Sequence, residues 1–175
     1  MIDKISNILA IRIKKSIPDH PATEEVLKFS LGIILNAVSI ITLTLLVSIG
    51  TGRTISALIA LIGFAILRQL TGGLHLQSGT WCVLVSTLLF TGISLIHLSD
   101  GATTIITVLA LIVVIVLAPK GIERQSRIDP KHFFKMKLAA SAVVATNLIF
   151  TSTTLALCFF VQVLLLIPGK EVKNS

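Results

Sequence analysis

Long apolar stretches separated by short polar segments dominate this sequence. A helix needs about 20 apolar residues to cross roughly 30 Å of hydrocarbon. The last stretch is long enough for two short helices, with a break at Thr151 to Thr154. The pattern therefore predicts an all-α, polytopic integral membrane protein with about six transmembrane helices. The apolar stretches run from about Val26 to Ile49, Thr54 to Leu70, Thr80 to Leu98, Thr103 to Ala118 and Leu138 to Ile167.

The N-terminal residues follow a different pattern, with apolar residues at helical spacing and polar residues between them. This periodicity predicts an amphipathic helix over residues 1–18 that lies in the membrane interface. A helix packed against the rest of the protein fits the pattern nearly as well. Pro18 and Pro21 end the helix, and Thr23 is a plausible start for the next one. The apolar positions are Ile2, Ile5, Leu9, Ile13 and Ile17, and the polar ones are Lys4, Asn7, Arg12, Lys14 and Lys15.

Composition and charge support the membrane assignment. Of the 175 residues 54% are hydrophobic, and the mean hydropathy of +0.96 lies outside the range of soluble domains. The net charge of +7 does not indicate a nucleic-acid partner, because there is no Tyr, one Trp and no basic stripe with stacking aromatics. With six spans, every Lys and Arg except Arg53 falls on one side, which the positive-inside rule assigns to the cytoplasm. We therefore expect a single domain over residues 1–175, a transmembrane core over 26–167, both termini in the cytoplasm and no cleaved signal peptide.

The segment from Arg68 to Cys82 carries the candidate chemistry. It places a possible nucleophile, Cys82, and a possible base, His75, between two apolar stretches. Its glycines favour a bent or re-entrant turn, which would let the thiol and the imidazole approach each other. Ser78 or Thr80 could begin the following helix, and a cysteine near a helix N-terminus is favoured as the reactive thiolate. On spacing alone, a Cys and a His near a membrane helix end are more often packing residues.

Further residues of this segment could assist a reaction at Cys82. Arg68 could hold a carboxylate or help to neutralise an oxyanion, and N–H groups freed by Gly72 and Gly73 could also stabilise an oxyanion. Gln69 and Ser86 are candidates to position the substrate or to orient His75, Ser86 lying one helical turn beyond Cys82. No metal or nucleotide motif is present, so no cofactor is expected.

Three other features have less certain roles. A basic segment could attract an acidic peptide tail, or it could serve only as a topology determinant beside anionic lipid. Cys158 lies within an apolar stretch, where a thiol is a small apolar filler. Asn36, the most polar residue of the first span, is either helix-packing glue or part of the site. The basic segment carries Lys120, Arg124, Arg127, Lys131, Lys135 and Lys137.

Several of these residues occur in a characteristic order: Arg68, Gly72, Gly73, His75 and Cys82, followed by Ala118-Pro119 and the basic segment. This order resembles the accessory gene regulator protein B (AgrB) family. The resemblance covers most of the chain: an amphipathic N-terminus, six spans, this motif between the second and third, and a basic loop after the fourth. Leu76 departs from the family, which usually has Ala after the His. The extra bulk lies next to the predicted base and removes no chemical group.

The resemblance implies a membrane cysteine endopeptidase of the bacterial cell membrane. Its substrate would be an AgrD-like propeptide, the precursor of a quorum-sensing peptide. Cys82 would be the nucleophile and His75 the base. The enzyme would remove the C-terminal tail through an acyl-enzyme thioester, on the cytoplasmic side, and support closure of a thiolactone or lactone ring. The family also implies a homodimer. The alternative is a non-catalytic membrane subunit that binds or transports peptides.

Overall fold

The computed structural model describes residues 2–18, 21–73, 78–120 and 129–167. Helices occupy nearly all of these ranges, which contain no named β-strand. A short 3-10 helix, Pro130–His132, precedes the sixth α-helix. The α-helices are α1 (Ile2–Ser16), α2 (Glu24–Thr51), α3 (Thr54–Thr71), α4 (Gly79–Leu95), α5 (Asp100–Leu117), α6 (Phe133–Phe150) and α7 (Thr153–Leu164).

Four of these helices, α2, α3, α5 and α6, are long and apolar enough to cross a membrane. Helices α4 and α7 are apolar but shorter, with 17 and 12 residues. The predicted class, an all-α polytopic membrane protein, is confirmed. The predicted six apolar helices are all found among the described residues, provided that the two shorter ones are counted.

Local capping chemistry sets the ends of α2. The Thr23 hydroxyl accepts a hydrogen bond from the Val26 N–H at 3.3 Å, so the predicted helix start at Thr23 is confirmed. At the other end Gly52 adopts a φ of 68°, and the Arg53 N–H donates to the Ser48 carbonyl at 3.1 Å. Such a left-handed glycine satisfies carbonyls that the helix end would otherwise leave unpaired.

The last apolar stretch forms two helices, as predicted. The break is at Thr151, whose φ of 45° is left-handed, and Ser152 caps α7 through a bond from the Leu155 N–H. Helix α6 begins at Phe133 and not near Leu138, so the prediction that Lys135 and Lys137 lie in a loop is wrong. The start of an apolar stretch shows where the charged residues stop and not where the helix begins. Lysine is a good helix former, so the helix begins earlier in the chain, within the basic segment.

The chain forms two compact units: residues 1–54 with 75–91, and residues 55–74 with 92–175. The assignment of one domain over 1–175 stays a prediction. In the first unit α1 packs on α2 through the buried residues Ile2, Ser6 and Ala10. A side chain at Gly32 would begin 3.9 Å from the Ser6 hydroxyl oxygen. Helix α1 is therefore packed against the protein, the second of the two possibilities, and its place in the membrane interface remains a prediction.

The second unit has its core where α3, α5, α6 and α7 meet. Gly63 permits a close approach of α3 and α7, since a Cβ there would lie 2.7 Å from Leu155 Cδ2 and 3.6 Å from Phe159 Cε1. Small residues that let membrane helices approach are a usual basis of their packing. The buried core residues are Leu67, Ala110, Val114, Ala118, Ala140, Val144, Phe159, Val163 and Leu166.

Asn147 fastens the turn between α6 and α7. Its Nδ2 donates to the Thr107 hydroxyl at 2.9 Å and to the Ser152 carbonyl at 3.1 Å, while its Oδ1 accepts the Ser152 N–H at 3.0 Å. The side chain is 1% exposed. One amide thus provides hydrogen-bond partners for the backbone groups of the turn and links the turn to α5. This explains how so short a connection between α6 and α7 is tolerated.

We expect Asn147→Leu to destabilise the protein by about 1–3 kcal/mol, because it leaves buried polar groups without partners. Thermal unfolding in detergent measures the effect. The control is Thr146→Ala, since the exposed Thr146 hydroxyl bonds only within its own helix, to Val143. Equal melting temperatures for the two variants would contradict this role of Asn147.

Candidate functional site

Cys82 lies in the first turn of α4. Its backbone N–H donates to the Ser78 carbonyl at 2.9 Å, so Ser78 stands at the helix boundary, as predicted, and Cys82 is the fourth helical residue. The thiol is partly exposed. Because the N–H of Cys82 is already bonded, it is not available to an oxyanion.

Cys158 has the opposite environment. It is fully buried within α7, and its thiol donates to the Ala60 carbonyl at 3.6 Å. Both cysteines are free. An enclosed thiol that bonds a backbone carbonyl has a packing role, so Cys82 is the more accessible of the two cysteines.

The Gly72–Gly73 pair ends α3 in a turn that only glycine adopts easily. The φ angles are 73° and 113°, in the region where a side chain is strained. The Gly72 N–H donates to the Arg68 carbonyl at 2.9 Å, and the Gly73 N–H donates to the Lys120 carbonyl at 3.0 Å. The prediction that these N–H groups are free for an oxyanion is therefore wrong, because the turn uses both of them. Their role in substrate positioning remains a prediction.

The basic segment begins beside this turn. Lys120 returns a second hydrogen bond, from its N–H to the Thr71 carbonyl at 2.9 Å, which makes a short parallel bridge between Lys120 and Gly72. The exposed Lys120 side chain is thus held at a fixed place next to the motif, although some 50 residues of sequence separate the two.

Gln162, on α7, forms hydrogen bonds with the same turn. Its Nε2 donates to the Gly72 carbonyl at 2.7 Å and to the Thr71 hydroxyl at 3.0 Å, and its side chain is completely buried. A Cβ on Gly73 would lie 3.3 Å from the Leu165 carbonyl oxygen and 3.5 Å from Gln162 Nε2, so α7 also explains the second glycine. Gln162 was not predicted from the sequence. The available signal was a lone amide in an apolar helix, which requires a polar partner.

The remaining candidates differ in their surroundings. Arg68 lies 5.9 Å above the ring centroid of Phe64, one turn earlier on α3, in a cation–π contact. Gln69 is exposed, and Ser86 is partly exposed one turn beyond Cys82 on α4. Cys82 and Ser86 belong to the first compact unit, whereas Arg68 and Gln69 belong to the second.

Several predicted residues lie outside the described ranges: His75 in the motif, and Arg124 and Arg127 in the basic segment. Within the described part of the chain, no three His, Cys, Asp or Glu side chains gather where they could hold a metal ion.

The described basic side chains are not equivalent. Lys131 forms an exposed ion pair with Asp129 at 2.9 Å. This hydrogen bond, with a second from the Lys131 N–H, holds the pKa of Asp129 below its ordinary value, so the pair persists at neutral pH. Lys135 is exposed, and Lys137 lines an open cleft with Phe133 and Phe134. Lys120, Lys135 and Lys137 are therefore better placed than Lys131 to meet an acidic partner.

The fold and the site define a class of protein: an all-helical integral membrane protein with one accessible cysteine at a helix N-terminus and a glycine turn at the end of the preceding helix. The sequence profile of the family described as Accessory gene regulator B matches residues 2–168. The chain belongs to that family, and the resemblance stated above is confirmed.

One relative has a related sequence. A Halalkalibacterium halodurans protein described as AgrB-like is 31% identical over 101 residues, which is 58% of this chain and 51% of the relative. The match thus spans about half the length of that relative. No solved structure matches the chain.

Gln162→Leu should destabilise the protein by about 2 kcal/mol or more, because it leaves two bonded groups of the Thr71–Gly72 turn without their donor. Thr71→Val removes only one of the two acceptors, so its effect should be smaller. Thermal unfolding compares the two, and amide hydrogen exchange at Gly73 and Lys120 should become faster in Gln162→Leu. Unchanged exchange at both amides would show that Gln162 does not hold the turn.

Proposed function

We propose that this protein is a membrane cysteine endopeptidase that removes the C-terminal tail of an AgrD-like propeptide and supports its cyclisation. The observation that carries the proposal is the contrast between the two thiols: Cys82 is accessible at the positive end of α4, and Cys158 is enclosed. Family membership supports the class of substrate.

In the first half-reaction His75 takes the thiol proton of Cys82, and the thiolate attacks a backbone carbonyl carbon of the propeptide. The carbonyl π electrons move to oxygen and form a tetrahedral oxyanion. Its collapse breaks the C–N bond, and the amine of the departing tail takes the proton from His75. The N-terminal part of the propeptide remains as a thioester on Cys82.

In the second half-reaction a Cys or Ser side chain of the bound propeptide attacks the thioester. His75 accepts its proton, a thiolactone or lactone closes, and Cys82 leaves as the thiolate. Exclusion of water from the apolar surroundings of α4 would favour this internal nucleophile over hydrolysis. Neither half-reaction requires a metal ion or a nucleotide.

We expect Cys82→Ala and His75→Ala to abolish tail release, because each removes a group that the first bond-breaking step requires. The assay is reconstitution with the AgrD-like propeptide from the neighbouring reading frame, with mass spectrometry of the thioester and the free tail. Cys158→Ala is the matched control and should form the adduct as the wild type does. Tail release that persists without Cys82 would reject the peptidase and favour a peptide-binding or transport subunit.

The basic segment gives the proposal its substrate orientation. Lys120 is held beside the Gly72 turn, and Lys135 and Lys137 follow on α6, so an acidic tail would meet several cations on one side of the membrane. By the positive-inside rule this side is the cytoplasm of the bacterial cell. A homodimer remains an expectation from the family.

Replacing Lys120, Lys135 and Lys137 together by Gln should raise KM roughly tenfold at low salt, since each exposed charge pair contributes up to about 1 kcal/mol. Asp129→Asn should do the opposite and lower KM modestly, because it releases the Lys131 charge from its ion pair. Both effects should shrink in about 1 M salt, where the Debye length is about 3 Å. Cleavage kinetics that do not respond to charge or salt would reject tail binding by this segment.

A further inference from the structure

Helices α1, α2 and α4 meet at the first residue of α4. A Cβ on Gly79 would lie 3.0 Å from Asn36 Oδ1, 3.2 Å from Asn36 Nδ2 and 3.3 Å from Ile2 Cβ. The Asn36 amide of α2 therefore lies directly against the start of the helix that carries Cys82. All of these residues belong to the first compact unit.

The carbonyl end of this amide has no partner. Asn36 is 9% exposed, and its buried Oδ1 forms no hydrogen bond within the described part of the chain. A buried polar group in that condition costs about 1–3 kcal/mol. Both ends of the amide pack against Gly79, so closely that a side chain at this position would be crowded. A buried, unpaired acceptor aimed at a helix N-terminus indicates a ligand that completes the arrangement.

The geometry of α4 places Cys82 on the face that Asn36 contacts. Residues three apart on a helix are surface neighbours, with Cβ atoms about 5–6 Å apart. Helical side chains also lean toward the N-terminus, so the Cys82 side chain leans toward Gly79. A peptide carbonyl attacked by Cys82 would therefore lie beside the start of α4, on the side where the Asn36 amide packs.

Three backbone N–H groups that could serve as oxyanion donors already have partners. The Cys82 N–H bonds the Ser78 carbonyl, and the N–H groups of Gly72 and Gly73 bond Arg68 and Lys120. Asn36 supplies a further donor, a side-chain N–H₂ group against the start of the helix that carries Cys82.

We propose that Asn36 is a catalytic residue, in that its Nδ2 donates to the oxygen of the peptide carbonyl that Cys82 attacks. As the Cys82–carbon bond forms and the π electrons move to oxygen, this hydrogen bond becomes charge-assisted. Oδ1 accepts a backbone N–H of the same substrate segment and so gains the partner that it lacks. The ligand is the backbone of an extended peptide. This inference rests on the proposed function, because it needs an acyl transfer at Cys82.

The depth of Asn36 strengthens this role. It lies about 12 Å along the helix axis beyond Lys28, the last charged residue of α2. Around it α2 is apolar, and a hydrogen bond to a developing charge is worth far more in such surroundings than in water.

The test compares Asn36→Leu and Asn36→Asp with Thr44→Val. Thr44 is a matched control because its buried hydroxyl, also on α2, has no partner among the described residues. Three quantities are measured: the single-turnover rate of thioester formation with the propeptide from the neighbouring reading frame, the affinity for that propeptide in a Cys82→Ala background, and the melting temperature. Alkylation of Cys82 by N-ethylmaleimide reports an intact site.

We expect both Asn36 variants to form the thioester about 100-fold or more slowly, the loss typical of one oxyanion donor. Affinity should change far less, Cys82 should alkylate normally, and Asn36→Leu should melt no lower than the wild type. Thr44→Val should acylate at the wild-type rate. Two results would overturn the role of Asn36 and leave the proposed function intact. One is acylation at the wild-type rate in Asn36→Leu, and the other is an equal loss of stability, affinity and rate in both Asn36 variants. A wild type that binds the propeptide but forms no thioester would overturn the proposed function and the role of Asn36 with it.

Discussion

Backbone polar groups surrounded by apolar atoms must find partners within the protein, and this constraint shapes the end of α3. The chain leaves the helix at Thr71, where water cannot be relied on to satisfy the turn. Gln162 donates to Thr71 and Gly72, while Lys120 exchanges two backbone bonds with Thr71 and Gly73. Three distant parts of the chain therefore join at one glycine turn. The Gly72–Gly73 turn, helix α7 and the start of the basic segment are linked by these few bonds.

The two cysteines show how position along a helix determines the exposure of a side chain. Cys158 lies in the middle of α7 with its thiol bonded to the Ala60 carbonyl, and the helix around it offers neither charge nor access. Cys82 lies in the first turn of α4 and is partly exposed. The same side chain thus has two environments, and its position along the helix determines which one applies.

Much of the fold could be predicted from local sequence, because its signals are local. Thr23 before two glutamates marks the start of α2, and the polar residues at Thr151 to Thr154 mark the break between α6 and α7. Cys82 as the accessible thiol followed from its place after Ser78.

Gln162 could not be found in this way, since its partners at Thr71 and Gly72 are about 90 residues away. The N–H groups of the glycines were misjudged for the same reason: Lys120, which occupies one of them, is distant in sequence. Asn36 was recognised as a polar residue in need of a partner, but only the packing of α2 on Gly79 indicates where that partner binds.

The shortness of α7 connects the glycine turn to the lipid around the protein. Its 12 helical residues extend about 18 Å, well below the roughly 30 Å of a typical hydrocarbon core. A bilayer adapts to such a helix by thinning near it, at a cost of fractions of a kcal/mol per Å of mismatch. Since α7 carries Gln162, in a bilayer that α7 crosses this cost would act on the residue that holds the turn. Acyl-chain length in the surrounding membrane would then influence how firmly Gln162 holds the Thr71–Gly72 turn.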